Sequence, residues 1–222
     1  MAVITLSRQV GSGGDEIALR VSELLGYRYF DKRLVAQVAS EMGLTADEIV
    51  DFSEDLHEAR PQGFLDRLLR RGMVVAEALT VREDAAGLRE VTVIELDEAA
   101  SLRLVQAAVR AACRAGNVVV VGRGGQVILR DEPGVLHVRI EAPLGHRVRR
   151  VAEEEHIDEA TARDTWVASR DRAGADYVKR FYDVDWSDPM LYHLVINTGR
   201  WDIEAAAQLI VDAVGRLPSA SA

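Results

Sequence analysis

The fold is decided by RQVGSGGDEIA, residues 8–18. This stretch follows the apolar run VITL at residues 3–6 and leads into a segment whose apolar residues recur at helical spacing. Its glycines, Gly11, Gly13 and Gly14, allow the backbone to curl so that successive N–H groups point inward. The N-terminus of the following helix adds about half a positive charge. The stretch therefore predicts a strand, an anion-binding glycine turn and a helix; the alternative is a turn with a purely structural role.

The turn departs from the phosphate-binding pattern G-x-x-x-x-G-K-[ST], which places a lysine and then a hydroxyl against the phosphates. Gly14 and Asp15 stand at those two positions. Without the lysine, the carboxylates of Asp15 and Glu16 would repel a triphosphate unless Mg²⁺ lay between them, so Asp15 is a candidate metal ligand. Arg8 is the nearest cation that could replace the lysine. Its alternative role is an ion pair with Asp15 or Glu16.

Strands and helices alternate along most of the chain. VVVV and the LVI of HLVIN are continuous apolar runs, as in strands that are covered on both faces. The pattern predicts an α/β protein with a parallel sheet wrapped by helices. Strands are predicted at Val3–Leu6, Tyr27–Phe30, Val118–Val121, Val135–Ile140 and His193–Asn197, and helices at residues 15–25, 99–115, 144–155 and 202–216.

Two stretches interrupt this alternation. Residues 41–95 have a charged, helical pattern and are interpreted as an insertion. Residues 147–183 collect much of the basic charge of an otherwise acidic chain. For Arg147, Arg149 and Arg163, a solvated helix with i to i+4 ion pairs is the alternative to a role in binding.

Composition limits the classes of function. The chain has 222 residues, 36 acidic against 27 basic, and a net charge of −9, which argues against binding to nucleic acid or to an anionic membrane surface. No apolar run approaches the ~20 residues of a membrane span, and the N-terminus shows no secretion signal, so we expect a cytoplasmic protein. The single cysteine, Cys113, excludes an internal disulfide framework. Whether the chain forms a homo-oligomer stays open.

Three segments resemble the cytidylate kinase-like family, a branch of the P-loop nucleoside monophosphate kinases. They run from ITLSRQVGSGG to DKRLV (residues 4–35), over VVVVGRGG (118–125), and from SRDRAG to AAQLI (169–210). The resemblance implies a three-layer P-loop kinase fold with a five-stranded parallel sheet, a helical monophosphate-binding insertion and an arginine-rich lid. It divides the chain into a core (residues 1–40, 96–146 and 184–217), the insertion (41–95), the lid (147–183) and a frayed tail (218–222).

The resemblance also implies phosphoryl transfer from ATP, with Mg²⁺, to a nucleoside monophosphate, with CMP and dCMP among the candidates, or to another small phosphorylated acceptor. The implied ATP-binding residues are those of the turn: Gly11, Ser12, Gly13, Gly14 and Asp15, the last also as metal ligand. The implied acceptor-binding residues follow the second and third strands: Asp31, Lys32, Arg33 and Arg123. The implied catalytic cations are the lid residues Arg170, Arg172, Lys179 and Arg180. Arg8 joins them as a catalytic candidate because it lies next to the loop, not because of the resemblance.

Two departures from the family pattern leave alternatives open. Related cytidylate kinases follow the arginine at position 123 with an aspartate that reads the base or the sugar, but Gly124 stands there in this chain, so cytidine selectivity is open. The missing lysine favours a second hypothesis, in which a non-catalytic protein of the same fold binds a nucleotide or phosphorylated metabolite as a regulator or assembly subunit. The basic lid favours the enzyme. The tryptophans, Trp166, Trp186 and Trp201, are interpreted as packing residues.

Overall fold

The computed structural model of the chain describes residues 2–30, 81–83, 89–91 and 98–217. Five strands form one parallel sheet in the order β2-β5-β1-β6-β7, and β3 and β4 form a separate antiparallel ladder. In chain order the strands are β1 (Val3–Arg8), β2 (Arg28–Phe30), β3 (Val81–Glu83), β4 (Arg89–Val91), β5 (Val118–Val121), β6 (Val135–Glu141) and β7 (Leu194–Asn197). The predicted five-stranded parallel sheet is confirmed.

Helices connect the strands of this sheet. They are α1 (Gly14–Leu25), α2 (Glu98–Ala115), α3 (Gly125–Ile128), α4 (Leu144–Glu155), α5 (Glu159–Thr161), a π-helical segment (Ala162–Ala168), α6 (Ser169–Tyr182), a 3-10 turn (Pro189–Leu191) and α7 (Ile203–Val214). The four helices predicted from apolar periodicity are present with small shifts at their ends. No helix among the described residues is both long enough and apolar enough to cross a bilayer.

The sheet is covered on both faces, which explains why β5 is apolar throughout. Along β5, Val118 and Val120 pack with residues of α2 and α3, whereas Val119 and Val121 pack with residues of α1 and α7. Successive side chains of a strand point to opposite faces, so a strand that is buried on both sides needs an apolar residue at every position. The result is the predicted three-layer arrangement.

The register brings the carboxyl ends of the central strands together. Leu6 of β1 lies opposite Val121 of β5 and Val138 of β6. The N–H of Gly122, just after β5, donates to the carbonyl of Leu6 at 3.0 Å. The turn that follows β1 and the turn that follows β5 are therefore neighbours at one edge of the sheet.

A smaller apolar cluster lies beside this edge, outside the two main layers. It joins Val148 and Val151 of α4 to Ala162 and Val167 of the π-helical segment, and the side chain of Val10 packs against it. The cluster fixes α4 and the segment leading to α6 next to the glycine turn.

The predicted insertion falls largely outside the described residues, as do the tail at 218–222 and the predicted acceptor residues Asp31, Lys32 and Arg33. The part of the insertion that is described differs from the prediction. A helical pattern was expected throughout residues 41–95, but Val81 pairs with Val91 in the β3–β4 ladder. These two valines, which are paired at one end of the ladder, are β-branched and favour the extended conformation over a helix.

Candidate functional site

A cleft of about 780 Å³ opens at the carboxyl ends of β1 and β5. Its walls are the turn after β1, the turn after β5, α4 and the start of α6. From β1 the chain continues to β2 at one edge of the sheet, whereas from β5 it crosses β1 and continues to β6 on the other side. The direction of the strand order therefore reverses between β1 and β5. Ligands of open α/β sheets bind in the crevice that such a reversal of strand order creates.

The glycine turn has a conformation and a packing that require glycine. Gly11 and Gly13 have φ angles of 74° and 76°, in the left-handed region. A Cβ atom at Gly11 would lie 2.6 Å from the carbonyl oxygen of Arg147, and one at Gly13 would lie 2.6 Å from the side chain of Ile203. Ser12 between them is buried, and its carbonyl accepts a hydrogen bond from Thr198 Oγ1 at 2.7 Å. The turn thus holds the N-terminus of α1 at the cleft.

Arg8 occupies the space that the missing lysine would need. A Cβ atom at Gly14 would lie 2.4 Å from the Cβ of Arg8 and 2.8 Å from its Cγ. The stem of Arg8 therefore runs where a side chain at position 14 would begin. Both Arg8 and Asp15 border the cleft, and Nε of Arg8 donates to Oδ1 of Asp15 at 3.0 Å. The ion pair that the sequence offered as the alternative role of Arg8 is present at the edge of the candidate site.

A second cation, Arg150 of α4, borders the same side of the cleft. It donates to Glu16 of α1, and its Nε donates to Oε1 of Glu154 at 2.7 Å. The sequence did not single out Arg150, because its i to i+4 spacing from Glu154 is typical of a solvated helix. The signal that could have found it is the contact with Glu16, which depends on how α4 packs against α1.

The turn after β5 is a run of three left-handed residues. Gly122, Arg123 and Gly124 have φ angles of 70°, 60° and 67°. A positive φ costs a residue with a side chain about 1–3 kcal/mol, and such strain concentrates at functional sites. Arg123 is buried and borders the cleft, as predicted for an acceptor-binding residue. Its role in binding stays a prediction.

The structure gives a physical reason for Gly124. A Cβ atom there would lie 2.7 Å from the ring of Tyr182, at the end of α6. The aspartate that the resemblance implies at this position does not fit while Tyr182 keeps its place.

The predicted lid cations separate into two groups. Arg170 borders the cleft, and its guanidinium carbon lies 4.0 Å from the ring centre of Trp166, which also borders the cleft. Arg172, Lys179 and Arg180 are exposed on α6 and do not border the cleft. Lys179 Nζ instead donates to Asp183 Oδ1 at 2.6 Å.

Of the two alternatives for Arg147, the structure contradicts the solvated helix. Its side chain is 8% exposed and pairs with Asp171 of α6, with Nη1 of Arg147 2.6 Å from Oδ2 of Asp171. Arg149 and Arg163 are exposed. Sequence periodicity could not separate these arginines, because the partner of Arg147 lies 24 residues away on another helix.

A polar network lies beneath the cleft, around Arg139 of β6. This buried guanidinium lies 4.3 Å from the ring centre of Trp186, and its Nη1 donates to the carbonyl of Trp186 at 2.8 Å. The indole N–H of Trp186 donates to Ser7 Oγ at 2.7 Å. Trp166 and Trp186 both pack as the sequence suggested, but both also border the cleft. The network fixes the segment between α6 and β7 to the sheet.

The acidic residues at the start of α1 suit a magnesium ion that is bound together with phosphates. The described part of the chain contains no group of three or more histidine, cysteine or acidic residues that could hold a metal by itself. Mg²⁺ is commonly held by one or two carboxylates plus phosphate oxygens and water. Asp15 and Glu16 border the cleft and have half or more of their side-chain surface exposed, so they fit that requirement.

The chain matches known proteins over nearly its whole length. The model of the cytidylate kinase-like family matches residues 3–200. A cytidylate kinase from Methanothrix thermoacetophila is 26% identical over 219 residues, which cover 97% of this chain and 99% of that protein. A solved structure of a protein from Eubacterium ventriosum has a TM-score of 0.64 at 20% identity and covers 97% of this chain and 99% of that chain.

A gluconokinase from Sinorhizobium meliloti has a TM-score of 0.51 at 9% identity, covering 97% of this chain and 92% of that one. At these identities the structural similarity shows the fold alone. With the strand order, it confirms the predicted P-loop kinase fold class.

Proposed function

The chain belongs to the cytidylate kinase-like family, and on that premise we propose that it is a nucleoside monophosphate kinase-like phosphotransferase that uses ATP. A phosphate oxygen of the acceptor forms a bond to the γ-phosphorus of ATP, while the bond from that phosphorus to the β–γ bridging oxygen breaks. The products are ADP and a nucleoside diphosphate. The protein contributes mainly positioning and neutralisation of negative charge in such a reaction.

The position of Arg8 carries this proposal. Its stem fills the space beside Gly14, and the residue borders the cleft next to the N-terminus of α1. A guanidinium is always charged and can donate two N–H groups to one phosphate. A cation therefore borders the glycine turn even though the turn itself has no lysine.

The donor phosphates would lie against the glycine turn. The backbone N–H groups of Gly11, Gly13 and Gly14 would bind their oxygens, whereas the N–H of Ser12 donates to the carbonyl of Gln9 at 3.2 Å. Arg8 would neutralise the charge of the phosphates, and Arg170 would approach from α6. Asp15 would hold Mg²⁺. When bound, Mg²⁺ would neutralise and orient the oxygens of the β- and γ-phosphates.

The acceptor would lie on the other side of the cleft, near the turn after β5. Arg123 would bind its phosphate, together with Asp31, Lys32 and Arg33, which follow β2 in the sequence and lie outside the described residues. CMP and dCMP are the first acceptors to test because the matched relative is a cytidylate kinase. Selectivity for cytosine would need a reader other than a carboxylate at position 124, where Tyr182 fills the space.

Arg172, Lys179 and Arg180 lie away from the cleft in the structure. A role for them in catalysis requires a movement of α6 that brings these exposed side chains toward the phosphates. The proposal includes these three residues as catalytic only together with that movement of α6.

The Arg8–Asp15 pair favours a second function, in which the protein binds a nucleotide or another phosphorylated metabolite without transferring phosphate. An arginine that keeps its carboxylate partner neutralises less phosphate charge than an uncompensated lysine would. The protein would then act as a ligand-responsive regulator or as a subunit of an assembly.

One experiment separates the two functions. Purified protein is incubated with ATP, Mg²⁺ and each of CMP, dCMP, UMP, AMP and GMP, and nucleoside diphosphate is measured by chromatography, with ATP binding measured by calorimetry on the same preparation. The enzyme should form diphosphate from at least one acceptor, and an Arg8→Ala variant should form less. ATP binding with no diphosphate from any acceptor would favour the binding protein. No binding of ATP would contradict the enzyme and leave only a protein that binds another phosphorylated metabolite.

A further inference from the structure

The peptide groups on the two sides of Val10, in the first half of the glycine turn, are both bonded to residues from other elements. The N–H of Val10 donates to Oδ1 of Asp171 at 2.9 Å. Its carbonyl accepts from Nη1 of Arg147 at 3.1 Å. The same Nη1 donates to Oδ2 of Asp171 at 2.6 Å, so α4, α6 and the turn meet at one residue. We refer to Arg147 and Asp171 as the Val10 clamp.

The two side chains of the Val10 clamp are largely shielded from solvent, so the loss of one of them is costly for the other. The side chains of Arg147 and Asp171 are 8% and 19% exposed. Nε of Arg147 also donates to the carbonyl of Ala142 at 3.1 Å, so the guanidinium is held on more than one side. When one member of a buried ion pair is removed, the other charge is left uncompensated, which costs far more than the loss of an exposed pair.

Packing around Val10 and Gly11 also connects the turn to α4. The side chain of Val10 packs against the small apolar cluster that α4 shares with the π-helical segment. A Cβ atom at Gly11 would touch the carbonyl of Arg147, so the backbones of the turn and α4 are in close contact there. The first half of the turn therefore rests on the predicted lid segment rather than on the sheet alone.

We infer that Arg147 and Asp171 are positioning residues that couple the placement of α6 to the shape of the phosphate-binding turn; the consequence for catalysis rests on the proposed function. Asp171 is adjacent in sequence to Arg170, which borders the cleft. A shift of the first turn of α6 that moves Arg170 also moves the carboxylate that holds Val10. Phosphate binding at the turn and docking of α6 thus become linked, and each strengthens the other.

A purely structural role predicts a different pattern of effects. An ion pair that only stabilises the fold would, when removed, lower stability without a selective effect on the turn. The Val10 clamp instead bonds directly to the backbone of the turn, so its removal should release the turn selectively. Asp171→Ala removes both bonds of the carboxylate. Asp171→Asn keeps an oxygen for the N–H of Val10 but loses the charge that pairs with Arg147, and it guards against the case in which the alanine variant fails to fold.

The test compares the parent, Asp171→Ala, Asp171→Asn and the control Asp176→Ala, which removes an exposed carboxylate from the same helix. Hydrogen–deuterium exchange is followed at residues 9–14 without nucleotide, and the Kd for ATP with Mg²⁺ is measured by calorimetry. We expect exchange in the turn to rise at least tenfold in Asp171→Ala and by an intermediate factor in Asp171→Asn. The Kd for ATP should rise about tenfold in Asp171→Ala and by a smaller factor in Asp171→Asn. Neither quantity should change in Asp176→Ala.

Exchange in the turn that stays at the parent's rate in a folded Asp171 variant would overturn the inference. So would exchange that rises equally throughout the protein, because that result indicates lost stability alone. If the parent binds no nucleotide, the proposed function fails, whereas the clamp is still judged by exchange in the turn.

Discussion

The Cβ and Cγ atoms of Arg8 lie 2.4 Å and 2.8 Å from the place that a Cβ atom would take at Gly14. Carbon atoms do not approach this closely, so position 14 stays glycine as long as Arg8 keeps its conformation. Arg8 leaves the carboxyl end of β1, whereas the lysine of the G-x-x-x-x-G-K-[ST] pattern belongs to the loop. Under the proposed function, the cation that binds phosphate would therefore lie on the strand before the loop instead of in the loop itself.

This close contact predicts that a lysine at position 14 lowers stability when Arg8 is present. It should lower stability less when the side chain of Arg8 is removed. Gly14→Lys should lower the free energy of unfolding by about 1–3 kcal/mol, the usual cost of overpacking. Gly14→Lys should cost less stability in an Arg8→Gly background, because glycine removes both the Cβ and the Cγ atom that a side chain at position 14 would meet, and the double variant should bind ATP more tightly than Arg8→Gly alone. Urea unfolding and calorimetry measure the two effects.

The matched control for this pair is Gly145→Lys on the exposed first turn of α4, where nothing lies within 4 Å of an added Cβ atom. It should leave stability close to that of the parent. A Gly14→Lys variant as stable as Gly145→Lys would contradict the steric exclusion.

The sheet could be predicted from the sequence because its burial leaves a direct signal. Val118 to Val121 are all apolar since two layers cover them, and Gly13 is needed both for its φ angle and for its close contact with Ile203. The Val10 clamp could not be predicted. Arg147 lies within RVRRVAEEE, a pattern that favours a solvated helix, and its burial depends on how α4 and α6 dock.

Arg123 allows strain and function to be separated. Arg123→Ala and Arg123→Gly both remove the guanidinium and should weaken binding of the acceptor monophosphate by about 1.5–3 kcal/mol, the scale of a hydrogen bond to a charged group. Because the φ of residue 123 is 60°, the glycine variant should be about 1 kcal/mol more stable than the alanine variant. Calorimetry with CMP and denaturant unfolding give the two quantities. Equal stabilities would contradict the strain, and unchanged affinities would remove Arg123 from the acceptor site.

His137 predicts how stability depends on pH. Burial, reinforced by the charge of the neighbouring His193, lowers the pKa of His137 to about 4. Its pKa in the unfolded chain is about 6.5, so the folded state favours the neutral ring and the unfolded state takes up the proton first. The contribution of His137 is therefore fully present above about pH 6.5 and is lost as the pH falls toward 4, by about 3 kcal/mol in total.

Urea unfolding between pH 7.5 and pH 4 measures this loss. His137→Gln should flatten the decline, whereas His146→Gln, at an exposed position, should keep the parent's profile. A His137→Gln variant that declines as steeply as the parent would show that other groups carry the dependence.

Asp15 predicts how nucleotide binding depends on magnesium. Its carboxylate accepts from Nε of Arg8 at 3.0 Å and adds negative charge beside the proposed site of the phosphates. Asp15→Ala removes that repulsion and releases Arg8, so ATP in the presence of a chelator should bind about fivefold tighter, equivalent to ~1 kcal/mol for an exposed charge pair. The same variant lacks the proposed metal ligand, so the further gain in ATP affinity on adding Mg²⁺ should shrink. Calorimetry with EDTA and then with Mg²⁺ measures both changes.

The control for this last prediction is Glu204→Ala, which removes the same charge from α7, where Glu204 pairs with Arg20 and does not border the cleft. If Glu204→Ala reproduced both changes, they would reflect net charge rather than the site. If Asp15→Ala left both affinities at the parent's values, the Arg8–Asp15 pair would lie apart from the phosphates. Tighter ATP binding without Mg²⁺ together with a smaller gain on adding Mg²⁺, both confined to Asp15→Ala, requires a carboxylate that opposes phosphate in the absence of metal and supports it in its presence.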